Sequence, residues 1–349
     1  DNIINLNELS GSDIPVTGSV GGDAKAGDTV TLTVNGHTYT GAVSNALTYS
    51  INVSPTDLAA TGTIAASVTT ADLAGNTATG NVSHVVNLDL IAPTASITLS
   101  DTALQIGDTA TVTITFSEAV TGFTLADLTA PNGVLSNLSA ASINPVTGVV
   151  TYTATFTPTA NIEDTTNVVS LSTEYTDLNG NSGTIAASNN YVVDTLAPVI
   201  TINGEVSNNY RPTLAKANDV ITVSFTSTDP VTSVTIGGHV VSATPVVGVL
   251  NTYTASYTVT TNDNATSTDV AITSQDAAGN STTQNFSGLV TIDTVAPTAS
   301  ITVDNVTADN IINLNELSGS DIPVTGSVGG DAKAGDTVTL TVNGHTYTG

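Results

Sequence analysis

Three loops in this sequence repeat one chemistry: DLAGN at Asp72–Asn76, DLNGN at Asp177–Asn181 and DAAGN at Asp276–Asn280. Each is followed, at a constant separation, by a second aspartate in DLIAP (Asp89), DTLAP (Asp194) and DTVAP (Asp293). Carboxylates, Asn side chains and backbone carbonyls are the hard oxygen donors that Ca2+ gathers, about six to eight at a time. The same residue types also build Asx turns, in which Asp and Asn bond their own backbone. For the DxxGN loops both readings stand. For Asp89, Asp194 and Asp293 an ion is favoured, because like-placed acids near one joint otherwise repel. One loop, one last strand and one return should bring the two aspartates of a module to the same pole.

A second candidate is NVTADNIINLNE, Asn305–Glu316. It can be laid on the Ca2+ loop of about twelve residues, with Asn305, Thr307 and Asp309 leading, apolar Ile312 later and Glu316 closing. Asn310 stands where that loop carries Gly, and no flanking helices are expected. Catalysis is not expected. His37, His84, His239 and His345 occur singly, and acids that recur in every module read as structural.

The charge balance limits the partners. The chain has 30 Asp and Glu against 4 Lys and Arg, a net charge of −26. A polyphosphate backbone or an anionic membrane needs Lys and Arg to hold it, so neither nucleic acid nor membrane insertion is expected. Acidic disorder is disfavoured because 40% of the residues are apolar and strongly periodic. Cys is absent, which removes disulfides and thiolate metal sites. Met is also absent, so the sequence reads as an interior segment of a longer chain.

The elements that position the acids are strands. Val30, Leu32 and Val34 alternate with Thr31 and Thr33, and Asn35-Gly36 follows as a hairpin signal. Ala110, Val112, Ile114 and Phe116 repeat the pattern, as do Ile221, Val223 and Phe225. Helical turns are expected only around Pro55–Ala60 and Thr124–Leu128. The fold class is therefore all-β: tandem antiparallel sandwiches of about seven strands and roughly 100 residues each. With no Trp or Cys, the core must be aliphatic with a few Phe and Tyr. The outward Thr rows read as ordinary strand surface, with an ice-ordering array as the sharper alternative.

The boundaries expected are 1–91, 92–196, 197–295 and 296–349. A Pro just past each junction (Pro93, Pro198, Pro297) stiffens it. Asp1–Gly41 recurs letter for letter at Asp309–Gly349, so a three-module cassette restarts near the end. Residues 1–91 are expected to lack the first strand, and 296–349 the later ones. Both ends are then to be completed by the continuing chain or by other copies.

DNIINLNE, GSVGGDAKAGDTVTLTVNGHTYTG, DLAGNTA and the closing DLIAP resemble the bacterial Ig-like repeats of giant RTX and biofilm-associated surface adhesins. The middle module, with DLNGNSGTIAASNNYVVDTLAP, resembles a second bacterial Ig-like subfamily. The resemblance implies an extracellular, non-enzymatic extender on a bacterial surface, stiffened by Ca2+ at the junctions. It carries the ion-binding role to Asp72, Asp89, Asp177, Asp194, Asp276 and Asp293, with Asp101 and Asp304 completing the shells. Partners are then neighbouring repeats or other copies, and a host or abiotic surface held by regions outside the segment. The alternatives are a self-assembling sheath or surface-layer subunit, and a glycan- or ice-binding module. With 9 Tyr, 5 Phe and no Trp, several aromatic glycan platforms are not expected.

Overall fold

The computed structural model describes residues 3–264, 267–319 and 321–349. The chain divides into two compact units: residues 1–198 with 275–281, and residues 199–274 with 282–349.

The first unit holds two apolar clusters. In the N-terminal one, a four-stranded antiparallel sheet runs in the order His37–Ala42, Thr29–Val34, Thr63–Ala71, Thr77–Val85. Ile14–Ser19 pairs with Thr48–Val53, and Ile3–Asn5 runs parallel to Asn87–Asp89. Val30, Leu32 and Val34 are buried among Val43, Ile51, Val53, Leu58 and Ile64. Asn35 (φ 49°) and Gly36 (φ 78°) form the tight turn that the sequence signals, and Leu58 is seated by the short helix Pro55–Ala59.

The second cluster lies between a sheet ordered Gly133–Ser136, Val150–Pro158, Ala110–Phe116, Ala95–Leu99 and the short strands Ala103–Leu104, Tyr191–Asp194 and Glu163–Asn167. The expected inward set, Ala110, Val112, Ile114 and Phe116, is buried there. The bulk that Trp would supply elsewhere comes from edge-on aromatic pairs: Phe116–Tyr175 at 5.0 Å and Phe156–Tyr191 at 5.2 Å.

In the second unit Ile200–Ser207, Val220–Ser227, Thr252–Thr258 and Ala243–Pro245 form one sheet. Its core takes Ile221, Val223 and Phe225 with Val234, Ile236, Val270, Ile272 and Val290. Among the described residues of 296–349 none is buried. Two short pairings occur there, Ala299–Ile301 with Val328–Gly330 and Thr339–Val342 with His345–Thr348.

The duplicated stretch separates propensity from packing. Val34 and Val342 sit in identical sequence, and both precede the same hairpin. Val34 is 0% exposed and Val342 is 49% exposed. The local code forms the hairpin in both copies, and in the first copy Val34 packs with Val53 and Leu58 of the elements that follow. Val34→Ala should therefore cost about 2 kcal/mol, from lost burial and a residual cavity. Urea unfolding of the variant checks it; a loss under about 0.5 kcal/mol would contradict it.

Candidate functional site

The three DxxGN loops fold alike. Asp72 accepts the backbone N–H groups of Ala74 (2.9 Å) and Asn76 (2.8 Å) and the Asn76 side-chain amide (2.9 Å). Asp177 does the same with Asn179 and Asn181, and Asp276 with Gly279 and Asn280. The glycine of each loop has positive φ (Gly75 89°, Gly180 92°, Gly279 106°), which a side chain would strain. These are Asx-type turns. The Asn76 amide, then the backbone N–H groups, hold the Asp72 carboxyl below its ordinary value.

With its amide N–H turned inward, the Asn is left with a carbonyl to offer. Asn181 Oδ1 accepts the backbone N–H of Leu6 at 2.7 Å, and its Nδ2 donates to Ile91 O at 3.4 Å. Asn280 Oδ1 accepts the N–H of Ile106 at 2.8 Å, and its Nδ2 donates to Asp194 O at 2.9 Å. Leu6 and Ile106 are equivalent positions. Each lies just beyond the short strand that runs parallel to the closing strand, Ile3–Asn5 beside Asn87–Asp89 and Ala103–Leu104 beside Tyr191–Asp194. The preceding amide residue is also equivalent: a Cβ on Gly180 would lie 3.0 Å from Asn5 Nδ2, and one on Gly279 would lie 2.5 Å from Gln105 Oε1. One latch is thus built twice in this unit.

Acids gather beside the first latch. Carboxylate oxygens of Asp89, Glu118 and Asp177 all lie within 4.8 Å of one another. Two ligands on opposite sides of a Ca2+ at about 2.4 Å are about that far apart, so the donor type and the spacing both fit a hard cation. Asn179 Nδ2 holds Asp89 Oδ2 at 2.5 Å. Burial, and then the charges of Asp177 and Asp89, raise the Glu118 carboxyl above its ordinary value. A cation would relieve that crowding.

Residues 89–193, which contain this cluster, match the family of the bacterial Ig-like domain. The Ca2+-stabilised adhesin with which an Antarctic bacterium reaches out and binds ice is 30% identical over 99% of this chain and 85% of its own, with a TM-score of 0.44. The chain belongs to the bacterial Ig-like family. An Ig-like domain of the M. primoryensis ice-binding adhesin is 42% identical over 25% of this chain and 86% of its own, with a TM-score of 0.24. No curated protein matches the chain.

Asp89 pairs with the loop acid that follows it along the chain rather than with the one before. Asp72 and Asp89 do not share a pole, because the long strand Thr77–Val85 lies between them. Asp89 meets Asp177, the next loop acid along the chain, and Asn280 likewise bridges Asp276 and the Asp194 backbone. Glu118 is absent from the repeated motifs and was not expected. The available signal is its position two residues past Ala110–Phe116, where a core strand ends.

Most of the acids also bond locally. Asp89, Asp194 and Asp293 each accept the N–H two residues on (Ile91, Leu196, Val295), as Asp101 does from Ala103. Asp304 accepts from Thr325 Oγ1, and Asp309 from Thr307 Oγ1 and Ile311 N–H. Glu316 accepts the Asn313 N–H at 2.8 Å as the acid of a capping box on Leu314–Leu317. Among the described residues no helix is long and apolar enough to cross a membrane.

Proposed function

We propose that this Ig-like chain is a non-enzymatic extender segment of a secreted bacterial surface adhesin. Its modules span 1–91, 92–196, 197–295 and 296–349, and Ca2+ stiffens the joint where Asp89, Glu118 and Asp177 converge. That convergence carries the reading, because it places three acids where two modules meet and a hinge would otherwise open. The adhesin relative supports an extracellular setting. Neighbouring repeats are the direct partners, and the surface bound belongs to regions outside the segment. Ca2+ would supply the positive charge that lets the three carboxylates close the joint. The remaining junction and loop acids, Asp72, Asp101, Asp194, Asp276, Asp293, Asp304, Asp309 and Glu316, are proposed as ligands of weaker or incomplete shells.

The test is thermal melting and small-angle scattering of the wild type and Glu118→Gln, each in Ca2+ and in chelator. A carboxyl raised in the folded state favours its protonated form. The ion-free fold should therefore gain stability as pH falls through that raised value and lose it above. At neutral pH in chelator, Glu118→Gln should melt higher than the wild type. In Ca2+ the order should reverse, and only the wild type should become markedly stiffer. Identical melting and scattering with and without Ca2+ would remove the ion from the joint.

A further inference from the structure

A hairpin tip is ordinarily built from Gly, Asn, Asp, Ser and Pro, because the turn needs them and water meets them. The tip between Ala243–Pro245 and Thr252–Thr258 departs from that rule. It reads Val246, Val247, Gly248, Val249, Leu250, Asn251. Val249 N–H donates to Val246 O at 3.2 Å, and Val246 N–H to Thr252 O at 2.9 Å. The Thr252 hydroxyl donates to Leu250 O at 3.0 Å. Ser227 N–H donates to Asn251 O at 3.0 Å and ties the tip to the end of Val220–Ser227. The left-handed backbone falls on Gly248 (φ 80°) and Asn251 (φ 56°). Backbone bonds, Gly248 and Asn251 therefore close this turn without help from the aliphatic side chains. The core does not use them either: Val247 is 98% exposed, Leu250 92% and Val249 54%.

The corresponding tip of the preceding module shows the ordinary solution. Asn144–Val149 likewise precedes the strand that pairs with the central core strand, Val150–Pro158 beside Ala110–Phe116. There Asn144 Oδ1 accepts the N–H groups of Val146 (2.9 Å) and Thr147 (3.3 Å). A polar side chain closes that turn, and Thr147 stands where the later tip has Val247. The gathered aliphatics of Val246–Asn251 thus serve neither the turn nor the core, and such a patch marks a contact surface. Because the tip is already fixed by its own bonds, covering it costs little ordering entropy.

Charge decides what can cover it. A chain of net charge −26 repels its own copies, and the repulsion is least where the approaching segments carry no acids. The tip lies within such a segment: residues 230–262 contain no Asp, Glu, Lys or Arg. We propose that the Val246–Asn251 tip packs against the same tip of a second copy of this chain, apolar side to apolar side about a two-fold axis. Such a contact is isologous and stops at two chains. The surface is small, so the pairing is weak, with a dissociation constant on the order of 0.1 mM. Salt strengthens it by screening the two acidic chains from each other. The tip holds no carboxylate, so the pairing stands apart from the Ca2+ site at Asp89, Glu118 and Asp177.

The experiment is sedimentation equilibrium of the 349-residue chain up to about 1 mM, in Ca2+ and in chelator, at about 0.05 and about 0.5 M NaCl. The wild type should pass from monomer to dimer, further at the higher salt, and in chelator as in Ca2+. Val247→Asp combined with Leu250→Asp sets like charges against each other at the contact. It should weaken the dimer at least about tenfold and melt like the wild type, since both side chains are exposed. Tyr210→Asp is the control. Tyr210 is 97% exposed in the same module, beyond the other end of Val220–Ser227, where Asn208 N–H bonds Val220 O. It should dimerise like the wild type. A lipid surface is the rival occupant, so the wild type is also floated with phosphatidylcholine vesicles and should remain unbound. A wild type that stays monomeric, a dimer that survives the paired substitution, or vesicle binding that the paired substitution abolishes would overturn the proposal.

Discussion

Asn181→Ala should cost the first unit about 3 kcal/mol, and Asn76→Ala, in the same loop motif, under about 0.5 kcal/mol. Both residues close an Asx turn, so the turn itself does not separate them. The difference lies in what else each Asn serves. Asn181 is 0% exposed and bonds Asp177 and Ile91 O while accepting the Leu6 N–H. Removing it strips a donor from the buried Asp177 carboxylate and orphans a backbone N–H across the joint. Asn76 is exposed, and water replaces its bonds to Asp72. Asn280→Ala should fall near Asn181→Ala, since it holds Ile106 and Asp194 in the same way. Urea unfolding of the three variants gives the order. Equal losses at 76 and 181 would mean that the motif is only a turn and not a latch.

That comparison also marks how far the sequence could be read. Alternation in Thr29–Val34, Ala110–Phe116 and Val220–Ser227 placed the core correctly, because a strand with one buried face has a strict period of two. Asn35-Gly36 gave its turn because few residues tolerate two successive positive φ values. The loop acids were legible as a recurring set, and their partners were not. Asp89 reaches Asp177 only because Thr77–Val85 carries the chain across the module before the junction, and the spacing of acids alone does not encode that crossing. Glu118 was hidden for a related reason: it occurs once, so no repeat points to it. Capping likewise claimed Glu316, whose Asn313-x-x-Glu spacing serves a helix start as readily as an ion loop.

Glu205→Ala should cost the second unit about 2–3 kcal/mol. In the run ITINGEVS this acid reads as an outward strand residue, yet it is 4% exposed. The cause is a register shift between Ile202 and Gly204. A bulge adds a residue on one side of the pair and reverses which face the following side chains take. Past the shift, Glu205 stands opposite Val223, and Val206 turns toward solvent. The buried carboxylate has three donors. Leu289 N–H reaches it at 2.6 Å and Val290 N–H at 3.3 Å, and the Thr268 hydroxyl donates to its other oxygen. It thereby fastens residues 288–290, just before the closing strand Thr291–Ile292, to the opposite sheet. Gly288 is part of the same device, since a Cβ there would fall 1.6 Å from Thr268 O. Alanine at 205 leaves the Val290 N–H buried without that acceptor, while the Thr268 hydroxyl keeps Val290 O and the exposed Leu289 turns to water. Glu205→Gln keeps one accepting oxygen and the side-chain volume, so it should lose less than half as much. Gly288→Ala should approach the Glu205→Ala loss by a steric route. Urea unfolding reports all three, and hydrogen exchange at Leu289 and Val290 reports the tether itself. If Glu205→Ala falls within about 0.5 kcal/mol of the wild type, with those amides still protected, the carboxylate does not hold the closing strand.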